Sequence, residues 1–96
     1  MNHDGNNNEL LDLIIIGASA AGLSASIYAS RRNLNFRVLS TNIGGEVALS
    51  GDVDNWLGIA HTTGVQLAQE FEAHARANNV QIDNGHEVTS ISQEGN

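Results

Sequence analysis

No cysteine occurs in the 96 residues. That absence excludes disulfides, thiolate metal sites and any thiol redox step carried by the chain itself. Lysine is absent as well, and four arginines stand against eleven acidic residues for a formal net charge of -7, which makes nucleic acid and anionic membranes poor partners. Aromatic residues are scarce, one Trp, one Tyr and two Phe, so a core has to be built from small aliphatic side chains. No apolar run approaches the roughly 20 residues of a membrane span, and the N-terminus lacks a basic, then apolar, secretory pattern. A cytoplasmic protein is therefore the expectation. A doubly wound sheet of six strands needs about 150 residues, so the length predicts part of a domain rather than a whole one.

Against those absences stands one organised stretch, Leu10-Leu11-Asp12-Leu13-Ile14-Ile15-Ile16-Gly17-Ala18-Ser19-Ala20-Ala21-Gly22-Leu23. An apolar run of strand length, broken only by Asp12, predicts a strand covered on both faces. Gly17 then allows the chain to reverse, and Gly22 removes a side chain where a following helix packs closely on the strand. Between the two glycines, free backbone N–H groups at a helix N-terminus, aided by the helix dipole, form a cradle for an anion such as a pyrophosphate. The spacing is that of G-x-G-x-x-G with Ser19 at the second glycine, where a side chain pushes a phosphate outward unless its hydroxyl compensates. Taken alone, the two glycines fit a plain strand-to-helix turn equally well.

Residues 1–9 are polar and read as a disordered tail, leaving 10–96 as a single partial domain. From Ala20 to about Arg32 the spacing is helical, with Leu23 and Ile27 on one face and Ala21, Ala25 and Tyr28 on another; Asn33 suits a left-handed helix end. Phe36 to Leu39 forms a second strand, parallel to the first across a right-handed crossover. After it, Ser40 and Thr41 occupy the place where dinucleotide folds usually carry an acid for the adenosine ribose, and no arginine follows to take a 2'-phosphate. The glycine-punctuated segment from Asn42 to Gly58 predicts a long functional loop. Thr63-Gly64-Val65-Gln66 has the form of a capping box opening a helix, with Leu67, Ala68, Phe71 and Ala75 buried and Glu70–His74 and Glu72–Arg76 as i, i+4 pairs. Val80 to Ile82 predicts a third strand, Asn84-Gly85 a turn, and Glu87 to Ser92 a weak last strand. His61 and His86 read as solvated loop histidines with no metal-ligand spacing to any carboxylate.

The motifs Gly17-Ala18-Ser19-Ala20-Ala21-Gly22, Ile27-Tyr28-Ala29-Ser30-Arg31-Arg32, Gly44-Gly45-Glu46-Val47 and Asp52-Val53-Asp54-Asn55-Trp56-Leu57-Gly58 resemble the N-terminal part of the low-molecular-weight thioredoxin reductases and related FAD-dependent pyridine nucleotide-disulfide oxidoreductases. The family's own patterns are G-x-G-P-A-G, A-x-Y-A-x-R, G-G-Q-L and E-V-E-N-[YW]-P-G. The chain departs from them at Ser19, Ala20, Glu46 and Leu57.

The resemblance implies an α/β fold: a Rossmann-like FAD-binding βαβ unit with parallel strands, within an incomplete three-layer (ββα-type) FAD/NAD(P)-binding domain. It implies that Gly17, Ala18, Ser19, Ala20, Ala21 and Gly22 hold the FAD pyrophosphate. Ser40, Thr41, Gly44, Gly45 and Glu46 would line the ribose and ribitol side, and Asn55 would lie near the flavin. In a complete enzyme of this kind, hydride passes from NAD(P)H to FAD and on to a disulfide of a partner such as a thioredoxin-like protein, a homodimer being possible. Such an enzyme adds a C-x-x-C pair, a second glycine motif and a late Asp, so no catalytic residue is expected here. The alternatives are a non-catalytic flavin- or nucleotide-binding module, which the lack of cysteine favours, and an NAD-dependent dehydrogenase portion, which the lack of an acid after the second strand disfavours.

Overall fold

The computed structural model describes residues 10–95; the tail predicted for residues 1–9 lies outside them. Strand β1 (Leu13–Ile16) is followed by α1 (Ala20–Arg31) and β2 (Phe36–Ser40). Next come α2 (Gly45–Leu49), the two-residue strands β3 (Asp52–Val53) and β4 (Thr62–Thr63), α3 (Gly64–Ala77) and β5 (Ile82–Asn84). The main sheet runs β1-β2-β5, with both pairings parallel, and β3 and β4 form a separate antiparallel pair. Each parallel step advances in one direction, so right-handed crossovers place both long helices on one face.

That face holds the core. Register aligns Ile15 with Val38 and Val38 with Ile82, and these three side chains cluster with Leu23, Ala75 and Val80, flanked by half-buried Ile27, Phe36, Ile43 and Phe71. The expectation that β1 is covered on both faces does not hold among the described residues. Ile14 and Ile16, which alternate to the other side, are 51% and 53% exposed. The same face carries Arg37 paired with Asp83 at 3.2 Å. A continuous apolar run told the strand's length, but only one side of it meets a helix here.

Helix α1 buries Leu23, Ser26 and Ala29, a narrower stripe than the predicted faces; Ala21, Ala25 and Tyr28 are exposed. Small residues decide this, because Ser26 and Ala29 let the helix lie close to the sheet and the Ser26 hydroxyl donates back to Leu23 O at 2.6 Å, leaving no buried polar atom unpaired. Asn33 ends the helix at φ 57, as its type allows. At the start of α3, Thr63 Oγ1 accepts from Gln66 N–H at 3.2 Å, but the Gln66 side chain turns to Glu70 rather than back, so only half the capping box forms. Glu72 pairs with Arg76 at 2.9 Å; Glu70, engaged with Gln66, does not pair with His74.

Three further expectations are corrected. The Asn42–Gly58 segment is not a plain loop, since α2 and β3 lie within it. The third strand begins at Ile82 rather than Val80, because the Val80 N–H closes the end of α3 on Ala75 O at 3.1 Å while its side chain fills the core. Glu87 to Ser92 forms no strand; no described strand lies alongside to share its backbone hydrogen bonds, and an isolated strand is not stable in water.

Candidate functional site

The chain leaves β1 at Ile16, and the Gly17 N–H still donates to Leu39 O across the sheet at 2.8 Å. Gly17 then takes φ +109, and a Cβ built on Gly22 would run into the Gly17 carbonyl oxygen. The turn is therefore as tight as two glycines permit, and α1 begins three residues after it with its N-terminus beside the ends of β1 and β2.

Ser19 is the N-cap of α1, yet its side chain makes no capping hydrogen bond. Its hydroxyl donates instead to Gly44 O at 2.6 Å. A serine in this position ordinarily satisfies an N–H of the first turn; here that turn keeps its donors, with no acidic side chain in it to neutralise the dipole. Free donors at the start of a helix of this length suit an anion.

The second wall is the segment after β2. The Gly44 N–H donates to Ala18 O at 2.8 Å, so the two loops are joined by Gly44 N to Ala18 and by Ser19 to Gly44 O. Gly44 itself sits at φ +100 with Ala68 and Ala48 where a Cβ would be, a position only glycine fills without strain. Ser40 is buried, its hydroxyl committed to Asn42 O at 2.6 Å, while Thr41 stands exposed at the rim. Between the walls lies a cavity of about 430 Å³, lined among others by Gly17, Ala18, Ser19, Ala21, Gly22, Ser40, Thr41 and Gly45. No arginine lines it, and Glu87 does. Attraction for an anion there comes from backbone dipoles, with no arginine or lysine to add to them.

Four residues singled out by the resemblance do not line this cavity: Ala20, Gly44, Glu46 and Asn55. Gly44 acts behind the wall. Glu46 lies exposed in the first turn of α2. Conversely, His86, Glu87 and Val88 line the cavity without having been predicted, held there by the His86 N–H donating to Ser40 O at 2.9 Å. The signal was available, because parallel strands end at one edge and ligands bind beyond their carboxyl ends; placing the third strand two residues early hid it.

Asn55 belongs to a different neighbourhood. It is exposed in the loop from Asp54 to His61, beside a shallow hollow of about 340 Å³ formed by that loop itself. Trp56 leans on Phe71 with ring centroids 5.1 Å apart at 50°. His61, read as simply solvated, pairs through Nδ1 with Asp54 at 2.6 Å. The hydrogen bond that the ring donates to Asp54, then the Asp54 charge, raise the His61 pKa above the ordinary 6.5, with a smaller push from Asp52. A larger cavity of about 930 Å³ opens between α1 and α3, bordered by Tyr28, Arg31, Trp56, Phe71 and His74. Its walls are mostly side chains and it has no glycine turn, so it lacks the donor set that marks the cradle. Among the described residues no group of three His, Asp or Glu could hold a metal ion, and no helix is long and apolar enough to cross a membrane.

No protein-family model matches the chain. Individual proteins do. Thioredoxin reductase from Ureaplasma parvum is 42% identical over 77 residues, 79% of this chain and 25% of that protein. The crystal structure of thioredoxin reductase from Streptococcus pyogenes superposes with a TM-score of 0.83 at 31% identity, over 93% of this chain and 29% of that one. A ferredoxin-flavin thioredoxin reductase from Clostridium acetobutylicum gives a TM-score of 0.71 at 35% identity, over 77% of this chain and 26% of that one. The chain thus spans about a quarter of the length of the curated relatives it matches.

Proposed function

The chain is thioredoxin reductase-like, with the Rossmann-like α/β fold of those flavoproteins, and on that premise we propose that its cradle holds the pyrophosphate of FAD. One observation carries the reading: the N-cap serine leaves the first-turn donors of α1 free while fastening the facing loop through Gly44 O. The backbone of Ala18 to Gly22 would bind the phosphates, and Thr41 and Gly45 would border the ribose and ribitol. The chemistry supplied there is two-electron transfer, hydride taken from a nicotinamide cofactor and the pair passed to a disulfide, in a complete oxidoreductase of the pyridine nucleotide-disulfide kind. NAD(P)H and a thioredoxin-like acceptor belong to the complete oxidoreductase in this reading, a homodimer being possible for it, and a cytoplasmic location is the expectation from the sequence.

What this chain contributes is placement rather than chemistry. Without cysteine it holds no thiol pair, and its site offers donors and a shaped wall but no group that exchanges electrons. The second reading, a flavin- or nucleotide-binding module without catalysis, is favoured by that same lack.

Titration of the chain with FAD, ADP and riboflavin tests the proposal. A pyrophosphate cradle predicts that ADP displaces FAD while riboflavin does not. Because one wall of backbone dipoles does the binding without an arginine or lysine, FAD should bind more weakly than about micromolar. Equal displacement by riboflavin would place the flavin ring, not the pyrophosphate, at the site of recognition.

A further inference from the structure

The antiparallel pair β3 and β4 is short, with Asp52 opposite Thr63 and Val53 opposite Thr62. Counting outward along the same register sets Gly51 opposite Gly64, where the Gly64 N–H donates to Gly51 O at 2.9 Å. Counting inward sets Asp54 opposite His61, the two residues at the neck of the loop that carries Asn55 and Trp56. There the link is made by side chains, with His61 Nδ1 2.6 Å from Asp54 Oδ1. Asp52 lies two residues back on β3 and so on the same face; its Oδ1 is 4.0 Å from His61 Nε2. The ring thus stands between two carboxylates, one directly across and one on the diagonal.

A neutral imidazole has one N–H and serves one carboxylate; the protonated ring has two and serves both. No other cation pairs with Asp52 or Asp54 among the described residues. The loop itself adds no further charge between Asn55 and Ala60. From α3, the helix that follows β4, Glu70 is engaged with Gln66 and Glu72 with Arg76, while His74 borders the cavity beside Trp56. A ladder of two residue pairs holds a hairpin only marginally in water, and all three latch side chains are largely exposed, so the loop has little else to hold its neck.

We propose that His61 is a positioning residue, a latch that holds both Asp54 and Asp52 and draws the neck of the Asp54–His61 loop tight when protonated, and keeps only one of the two when neutral, so setting where Asn55 and Trp56 stand. The latch is a property of the loop's own geometry; that its setting matters to a bound flavin rests on the cradle reading, through Asn55. Asp54 holds the His61 pKa above its ordinary 6.5, so both links are present below that value and the second is lost as pH rises through the raised one. Latching therefore fades toward alkaline pH.

The chain has a single tryptophan, and it lies inside the loop. Its fluorescence, followed across about pH 5 to 9 with no flavin present, reads the latch whether or not the cradle binds FAD. The expected result is a single transition with its midpoint above 6.5, matched by the NMR titration of the His61 ring and by the backbone amides of Asn55 and Trp56. Asp54→Asn should bring the midpoint down toward the ordinary value, and His61→Gln should remove the transition. His74→Gln should leave it in place. Asn55 and Trp56 amides that ignore the His61 titration, or a Trp56 transition that survives His61→Gln and disappears in His74→Gln, would overturn the proposal.

Discussion

The cradle and the Asp54–His61 loop both carry residues that the family resemblance assigns to a flavin site, yet they are held in different ways. In the cradle the holding is mostly backbone on backbone, Gly22 against Gly17 O and Gly44 N–H to Ala18 O, with one part-buried hydroxyl, that of Ser19, donating to Gly44 O. In the loop, side chains do the holding, through the exposed pair of His61 with Asp54 and through exposed Trp56 on half-buried Phe71. A backbone-fastened site has one geometry at any pH at which the fold survives. A site fastened by exposed charges has a geometry that conditions set.

The largest break in that contrast should come from Gly22→Ala. The new Cβ meets a carbonyl oxygen that cannot move without opening the turn, so we expect a loss of about 3 kcal/mol, a fall in Tm of roughly 12 to 24 °C for a domain of this size, read by thermal unfolding. Ser19→Ala removes one stitch and leaves Gly44 O still accepting from Val47 N–H at 3.1 Å. Its cost should stay near 1 kcal/mol in denaturant unfolding. FAD binding should weaken nonetheless, because one of the two bonds that fix the facing loop is lost; unchanged binding would show that the stitch does not shape the site.

On α3, beneath the loop and beyond it, the effects should be no larger. Phe71→Leu removes the ring beneath Trp56 while keeping an apolar side chain of similar size, and should cost about 1 kcal/mol and shift Trp56 emission. Glu72→Gln, which breaks only the exposed pair with Arg76, should cost no more than about 0.5 kcal/mol in chemical denaturation. A larger value would mean that the pair couples to the α3 packing.

The same contrast explains what could be read in advance. Gly17, Gly22 and the apolar run before them announced the β1–α1 turn because backbone sterics leave few residue types able to make it. Thr63 announced α3 for the same local reason. What Ser19 does was not legible: its partner, Gly44 O, lies 25 residues away, and residue type alone suggested crowding of a phosphate rather than a bond to another loop. His61 was missed because its link to Asp54 follows from a two-pair ladder too short to leave a strand pattern. The exposed side of β1 was misread because apolar side chains on both faces say that cover is wanted, not that a described element provides it. Helix α2 was hidden by the glycines at its start, Gly44 and Gly45, which read as loop.

Backbone amide shifts on adding ADP test the central claim most directly, since ADP carries the pyrophosphate and no flavin. A pyrophosphate cradle predicts saturable shifts concentrated in Gly17 to Gly22 and Thr41 to Gly45, with Asn55 and Trp56 unmoved. Shifts centred instead on Tyr28, Phe71 and His74, around the larger cavity, or none at millimolar ADP, would contradict it.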